Sequence, residues 1–362
     1  MAAKQNKICI ILPCNTVWAP YYFKYEKMLT DNGSGFDVIL WNRSGEQEKL
    51  KGRLIEYHMP DKTNNGQWTK FWKFFSFAAF VQREIRHRKY EKLIFLGTYG
   101  GNALLINRFL KKNYAGCCWL DIRDYTYEWM GIFRKLEKET IDNAFCTVIS
   151  SGGFRKILPE NRQYLLFHNI DEESIRLASA AETVREGGVI RISFIGNMGK
   201  QYVAENKKLL DLFANDKRFL MQYFGTGNDV LKQYCKNRGI QNTLFEGRFE
   251  RKDIGKFYAR TDVINNLYGN HEKNLQLALS NKLYFSLALG KPILVCKNTY
   301  MQKAAVKAGN GFVIDDTDGI REQFLEWYDS FDAEKCKKAY THCLKQNEKV
   351  REVFLYFIRE KL

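Results

Sequence analysis

Residues 280–295 read SNKLYFSLALGKPILV, a helix followed by the buried strand behind it. Ser280 or Asn281 caps the helix and Gly290 ends it. Pro292 then opens an apolar run of strand length. Lys282 falls in the first helical turn, where the positive end of the helix dipole disfavours a cation. An anion bound nearby resolves that conflict and points to phosphate. The alternative is an exposed lysine that tolerates the cost.

Working outward, the same helix-and-strand unit recurs along the chain. Apolar runs stand at 8–13, 36–41, 54–59, 92–97, 117–122, 145–150 and 164–169. After a polar stretch they resume at 189–196, 219–225, 243–247, 262–268, 292–296 and 311–315. Helix-length amphipathic segments lie between most of them, so the fold class is α/β, with parallel sheets covered by helices. Patterning is weakest over 171–188, which ends in Gly187-Gly188, and the interdomain linker is placed there. The expected organisation is a Rossmann-like domain over 1–175 and a second over 176–340. A C-terminal helix over 341–362 would return Val353, Phe354, Tyr356 and Phe357 to the first domain.

Composition narrows the function classes. Of 362 residues, 45% are hydrophobic and 15% aromatic, which excludes a disordered chain. No apolar run reaches the roughly 18 residues of a membrane span. The apolar stretch near the N-terminus has strand length, without the cleavage pattern of a secretory signal, so a cytoplasmic location is expected. The nine cysteines include no CxxC pair. They read as reduced thiols, and no metal site is expected. Fifty-seven Lys+Arg against 41 Asp+Glu give a net charge of +16, so the partner is anionic: nucleic acid, a membrane surface or a phosphorylated ligand.

Ligands in doubly wound sheets bind beyond the carboxyl ends of strands, which directs attention to the strand-end loops. Phe194-Ile195-Gly196-Asn197-Met198-Gly199-Lys200 ends the first strand of the second half, and Phe224-Gly225-Thr226-Gly227-Asn228 ends the next. Either loop admits close backbone approach to a phosphate, or is a tight turn that needs positive φ.

The order FIGNMGK, FGTG, LFEGRFERKDIGKFYARTDV, NKLYFSLALGKPILV, AGNGFVIDD resembles the donor-nucleotide domain of GT-B glycosyltransferases. The likeness is to the family-4-like enzymes of capsular and surface polysaccharide synthesis. It is specific over 190–316 and looser in the first half. It implies a GT-B fold, two Rossmann-like domains facing across a cleft. It also implies a hexosyl transfer from a UDP- or GDP-sugar, with no cofactor and no metal. The implied donor-binding residues are Gly196, Asn197, Gly199, Lys200, Lys207, Gly225, Gly247, Arg248, Phe249, Asn281, Lys282 and Leu283. Among them Lys200 stabilises the leaving diphosphate. One departure stands out: family members carry an E-x7-E pair whose second Glu holds the ribose, where this chain has Leu277 and Phe285. Retention or inversion at the anomeric carbon is left open.

In the first half, Asp121, Arg123 and Asp124 end a buried run. A carboxylate there, Asp121 or Asp124, is a candidate base for the acceptor hydroxyl. Asp124 as a helix cap is the alternative. Thr98, Gly100 and Arg123 are acceptor-binding candidates. His58 and His168 read as structural. Trp68, Phe71, Trp72, Lys73 and Phe75 open an aromatic stretch that runs into Arg83, Arg86, Arg88, Lys89 and Lys92. That combination suits a helix lying on an anionic membrane surface, with core packing as the alternative.

The function expected is therefore transfer of a sugar to a lipid-linked oligosaccharide, by a peripheral protein at the inner membrane face. A non-catalytic GT-B-like partner subunit is the second reading. A nucleic-acid-binding protein is the third, disfavoured because the aromatics sit in core-like runs rather than on basic strands.

Overall fold

The computed structural model describes residues 7–59, 67–97, 102–125, 127–160, 162–182, 187–315 and 318–360, with the side chains of 67–71 and 102 left aside. The chain divides into two compact units. The first takes the residues up to His168 and those from Gln346 onward; the second takes Asn169–Lys345.

The first unit runs β1 (Ile8–Leu12), α1 (Tyr22–Asp31), β2 (Phe36–Asn42), β3 (Arg53–His58), α2 (Gln67–Arg88), β4 (Lys92–Leu96), α3 (Asn102–Leu105), α4 (Asn107–Asn113), β5 (Cys118–Ile122), α5 (Gly131–Asn143), β6 (Cys146–Ile149) and β7 (Leu165–Leu166). Its strands form one parallel sheet in the order β3-β2-β1-β4-β5-β6-β7. Strands β1, β2, β4 and β5 are buried along their whole length. Burial on both faces is why they read as unbroken apolar runs.

The second unit runs α6 (Glu172–Ser179), β8 (Ile190–Ile195), α7 (Val203–Leu212), β9 (Phe219–Phe224), α8 (Asp229–Arg238), β10 (Thr243–Glu246), α9 (Ile254–Ala259), β11 (Val263–Asn266), α10 (Lys273–Leu277), α11 (Asn281–Leu289), β12 (Ile293–Cys296), α12 (Tyr300–Ala308), β13 (Gly311–Ile314), α13 (Ile320–Asp329) and the first part of α14 (Ala333–Arg359), whose last turns belong to the first unit. The sheet is again parallel, in the order β10-β9-β8-β11-β12-β13. Every apolar run singled out in the sequence contains a strand. The helix of 280–295 is α11: the Ser280 hydroxyl accepts from the Lys282 amide at 3.2 Å, and Gly290 closes it at φ +61°. That is the left-handed ending glycine favours.

The structure differs from the sequence reading in the placement of the linker. The crossing falls between His168 and Asn169, and much of the expected linker is helix α6. Asp171 caps it by accepting from the Ser174 amide, while Ile175 and Ala178 enter the core of the second unit. A single buried turn of apolar positions left little periodicity to read. Helix α14 is also longer than the expected C-terminal helix. Its first part packs Cys336 into the core of the second unit, and its last turns bury Val350, Phe354 and Phe357 in the first. His168 is structural: its ring bonds Gln346 at 2.7 Å and its amide donates to Asn347. No helix among the described residues is long and apolar enough to cross a membrane.

Candidate functional site

In the second unit, strand order reverses at β8. The chain leaves β8 for β9 on one side and returns from β10 to β11 on the other. The loops after β8 and β11 therefore part at the carboxyl edge, the topological switch point where open α/β sheets bind ligands.

The loop after β8 is braced by the loop after β9. The Gly196 amide donates to the Phe224 carbonyl and the Met198 amide to the Thr226 carbonyl, both at 2.8 Å. The Thr226 hydroxyl donates to Asn197 Oδ1 at 2.9 Å. Gly225 takes φ +129°, and a Cβ there would strike the Gly196 carbonyl. The two glycine motifs thus exist first to let two backbones touch. Two of the amides expected to face a phosphate are spent on this contact. Lys200 opens the turn into α7; it is exposed, and its ammonium makes no hydrogen bond or ion pair among the described residues.

Lys282 is found inside rather than at the surface. Its ammonium donates to the Asn265 carbonyl of β11 at 3.1 Å and lies 3.3 Å from the ring centroid of Phe194, with Tyr268 at 4.9 Å. The residue is 5% exposed, and burial pushes its pKa well below the usual lysine value. The dipole conflict in the first turn is met by a ring face and a carbonyl. No carboxylate among the described residues pairs with it, and its contacts lie on the two strands that flank the switch point, β8 and β11.

Two residues missed in the sequence stand beside this lysine, Tyr268 against it and Tyr202 stacked on Tyr268. Tyr202 and Tyr268, from the loops on either side of the switch point, stack at 4.1 Å and 13°. Asn206 of α7 ties the loops together, donating to the Tyr202 and Leu267 carbonyls and accepting from Asn265. The available signal was the pair Asn265-Asn266 inside an apolar run, since a buried amide needs partners.

The remaining donor candidates scatter. Lys207 lies against the ring of Tyr234 on α8, at 4.8 Å. Phe249 packs on Phe257 at 4.5 Å, and Leu283 is core. Gly247 and Arg248 are exposed. Asn281 is exposed and accepts from Asn169 at 2.8 Å. Phe285, at the position of the family's ribose-binding Glu, is buried and stacks on Tyr258 at 4.4 Å and 5°.

In the first unit, Asp121 is corrected from candidate base to core ion pair. Its Oδ2 accepts from Arg123 at 2.8 Å and from the Tyr25 hydroxyl at 2.7 Å, and Trp119 donates to that hydroxyl. Asp121 is 1% exposed, out of reach of a substrate proton. Arg123 is likewise buried, over the ring of Tyr21 at 4.2 Å, and is not placed to bind an acceptor. Asp124 is the accessible carboxylate of the pair. Desolvation raises its pKa against the pull of Arg123, with Asp121 adding to the rise. Thr98 and Gly100 lie outside the described residues.

A second acidic pair sits behind this one. Glu128 and Glu137 are both buried, and neither oxygen of Glu137 has a hydrogen-bond partner among the described residues. Burial, then Glu128, pushes Glu137 up to about 8. Between about pH 4.5 and 8 the unfolded chain has lost this proton and the folded chain keeps it. Stability therefore falls as pH rises through that window and levels above it. Glu137→Gln is expected to melt several degrees above the parent at pH 8 and level with it at pH 4, as read by circular dichroism. A variant that melts lower at pH 8 contradicts a buried neutral acid.

On α2, Phe77 is fully buried and Phe74 packs on Trp41 at 5.1 Å, whereas Trp72 is 70% and Phe75 39% exposed. Lys73 is half-buried. The side chains of Trp68 and Phe71 lie outside the described residues. The aromatic stretch thus serves the core on one face and leaves Trp72 and Phe75 on the other.

No family model and no curated protein matches the chain. Solved structures do. Sucrose-phosphate synthase from Thermosynechococcus elongatus superposes with a TM-score of 0.70 at 11% identity, covering 97% of this chain and all of that one. WaaG, a glycosyltransferase involved in lipopolysaccharide biosynthesis, gives 0.58 at 12% identity, over 96% of this chain and 99% of the other. Anabaena Alr3699/HepE, solved in complex with UDP and glucose, gives 0.63 at 11%, over 96% and 99%. The fold is that of the GT-B glycosyltransferases.

Proposed function

We propose that the protein is a glycosyltransferase whose second unit holds a nucleoside diphosphate sugar, UDP- or GDP-linked, at the β8–β11 switch point. The observation that carries this reading is a buried lysine, Lys282, bonded to the Asn265 carbonyl of β11 and resting on Phe194 of β8, on the strands flanking the switch point where the glycine-braced loop presents Lys200. As the acceptor hydroxyl bonds to the anomeric carbon, the bond to the diphosphate oxygen breaks and charge collects on the leaving group. Lys200 meets that charge directly, so the proposed reaction needs no metal. The hydroxyl proton passes to a carboxylate base, for which Asp124 of the first unit, its pKa raised by desolvation, is the candidate. Glycosyltransferase neighbours of the same fold, one solved with UDP and glucose, support the reading.

UDP or GDP at 100 times its dissociation constant is expected to add about 2.7 kcal/mol of stability. That is a rise of a few degrees in melting temperature, lost in Lys200→Ala. A flat melting curve with UDP, GDP and ADP alike refutes the donor assignment.

The acceptor is proposed to be a lipid-linked oligosaccharide of surface or capsular polysaccharide synthesis, met by a peripheral protein at the inner membrane face. The exposed Trp72 and Phe75, ahead of the basic end of α2, support this docking. Anionic liposomes should sediment the protein at low salt, and Trp72→Ser/Phe75→Ser should stay in the supernatant. Equal sedimentation of the two refutes docking through α2.

A further inference from the structure

The amino-terminal edge of the seven-stranded sheet carries a cavity of about 650 Å³. It lies at the strand ends opposite Asp121 and Asp124. Lys7 before β1, Lys92 at the start of β4, and Arg86 and Lys89 at the end of α2 supply four cations; among the described residues Glu91 and Glu360 are the carboxylates in its lining. Lys7 pairs with Glu91, which leaves Arg86, Lys89 and Lys92 against Glu360.

Helix dipoles account for part of this, since cations are favoured where α2 ends. They do not account for Lys92, which is on a strand. It is 4% exposed, and its Nζ has no hydrogen-bond acceptor among the described residues; the Phe357 ring lies at 4.8 Å, and Glu360 and Glu91 act on it only at a distance. A buried ammonium without an acceptor is destabilising unless something else meets it. Lys89 adds a second oddity. It follows α2 at φ +50°, a left-handed position where glycine or asparagine is the easier choice. The chain keeps a lysine at that cost. Arg86 lies over the ring of Phe109 at 5.0 Å, which holds its flat fork at the cavity wall.

We propose that this cavity binds a phosphorylated small molecule, at a site separate from the switch point of the second unit. Arg86 and Lys89 hold the phosphate at the rim, and Lys92 gains the acceptor it lacks. The volume lies in the range of small-molecule sites and accommodates a sugar phosphate or a nucleoside monophosphate.

The test uses the full chain and three probes: inorganic pyrophosphate, glucose 6-phosphate and AMP, by calorimetry at low salt. At least one is expected to bind, and the exposed double variant Arg86→Gln/Lys89→Gln should weaken it tenfold or more. Lys92→Met should also lose binding. The bound probe should slow alkylation of Cys117, which lines the cavity, as read by peptide mass mapping. Absence of binding by all three probes at millimolar concentration overturns the proposal. So does binding that survives the double variant, or that falls with Lys200→Ala instead.

Discussion

Asp121→Asn is expected to cost about 3–5 kcal/mol of unfolding free energy, the usual range when one partner of a buried ion pair is removed. The amide keeps the shape of the carboxylate and still accepts from Tyr25, but it carries no charge. The Arg123 guanidinium, buried and with Nε and Nη1 lacking partners among the described residues, would then keep the rings of Tyr21 and Phe167 but no opposite charge among those residues. Urea titration should show the midpoint shifted down with the slope unchanged. Asp121→Asn/Arg123→Met should recover much of the loss, since an apolar replacement of both partners leaves no charge to bury. A single variant with the parent's midpoint but no transferase turnover would instead restore Asp121 as a base and overturn the core assignment.

Phe285→Glu should be comparably severe, at about 3 kcal/mol or more. The substitution restores the residue the resembling family carries, yet here it removes a ring stacked on Tyr258 and puts a carboxylate in a core lined by Leu283, Leu287 and Ile293. Loss of the aromatic burial and an unpaired buried charge act in the same direction. Melting temperature and soluble yield should both fall, while Phe285→Leu keeps the fold and its response to nucleoside diphosphate. A Glu variant that melts like the parent and binds UDP more tightly would mean that position 285 faces ribose.

The strands were legible because parallel strands buried on both faces are written as continuous apolar runs. The end of α11 was legible because its cap and its left-handed stop are each a single residue, Ser280 and Gly290. Helix α6 is less legible: Asp171 ahead of Glu172-Glu173 is an N-terminal signal, but the helix is short and the polar stretch after it runs on to the glycines at 187–188. The site was legible as a place more than as a set of contacts. Gly196, Gly225 and Lys200 stand at the switch point, but Lys207 and Phe249 turn to neighbouring helices, and Tyr202 and Tyr268 passed unnoticed.

The sequence by itself determined the element order, the two parallel sheets and the loops that end at their carboxyl edges, because caps, glycine stops and apolar runs act within a few residues of themselves. Only the tertiary structure decided which charges are spent in the core and which remain for a ligand. Asp121 and Arg123 meet Tyr25 and Tyr21 from α1 and the segment just before it, and Lys282 meets Phe194 from a strand almost ninety positions earlier. Partners that distant in the chain leave no local pattern, and it is they that set whether a carboxylate or an ammonium reaches solvent.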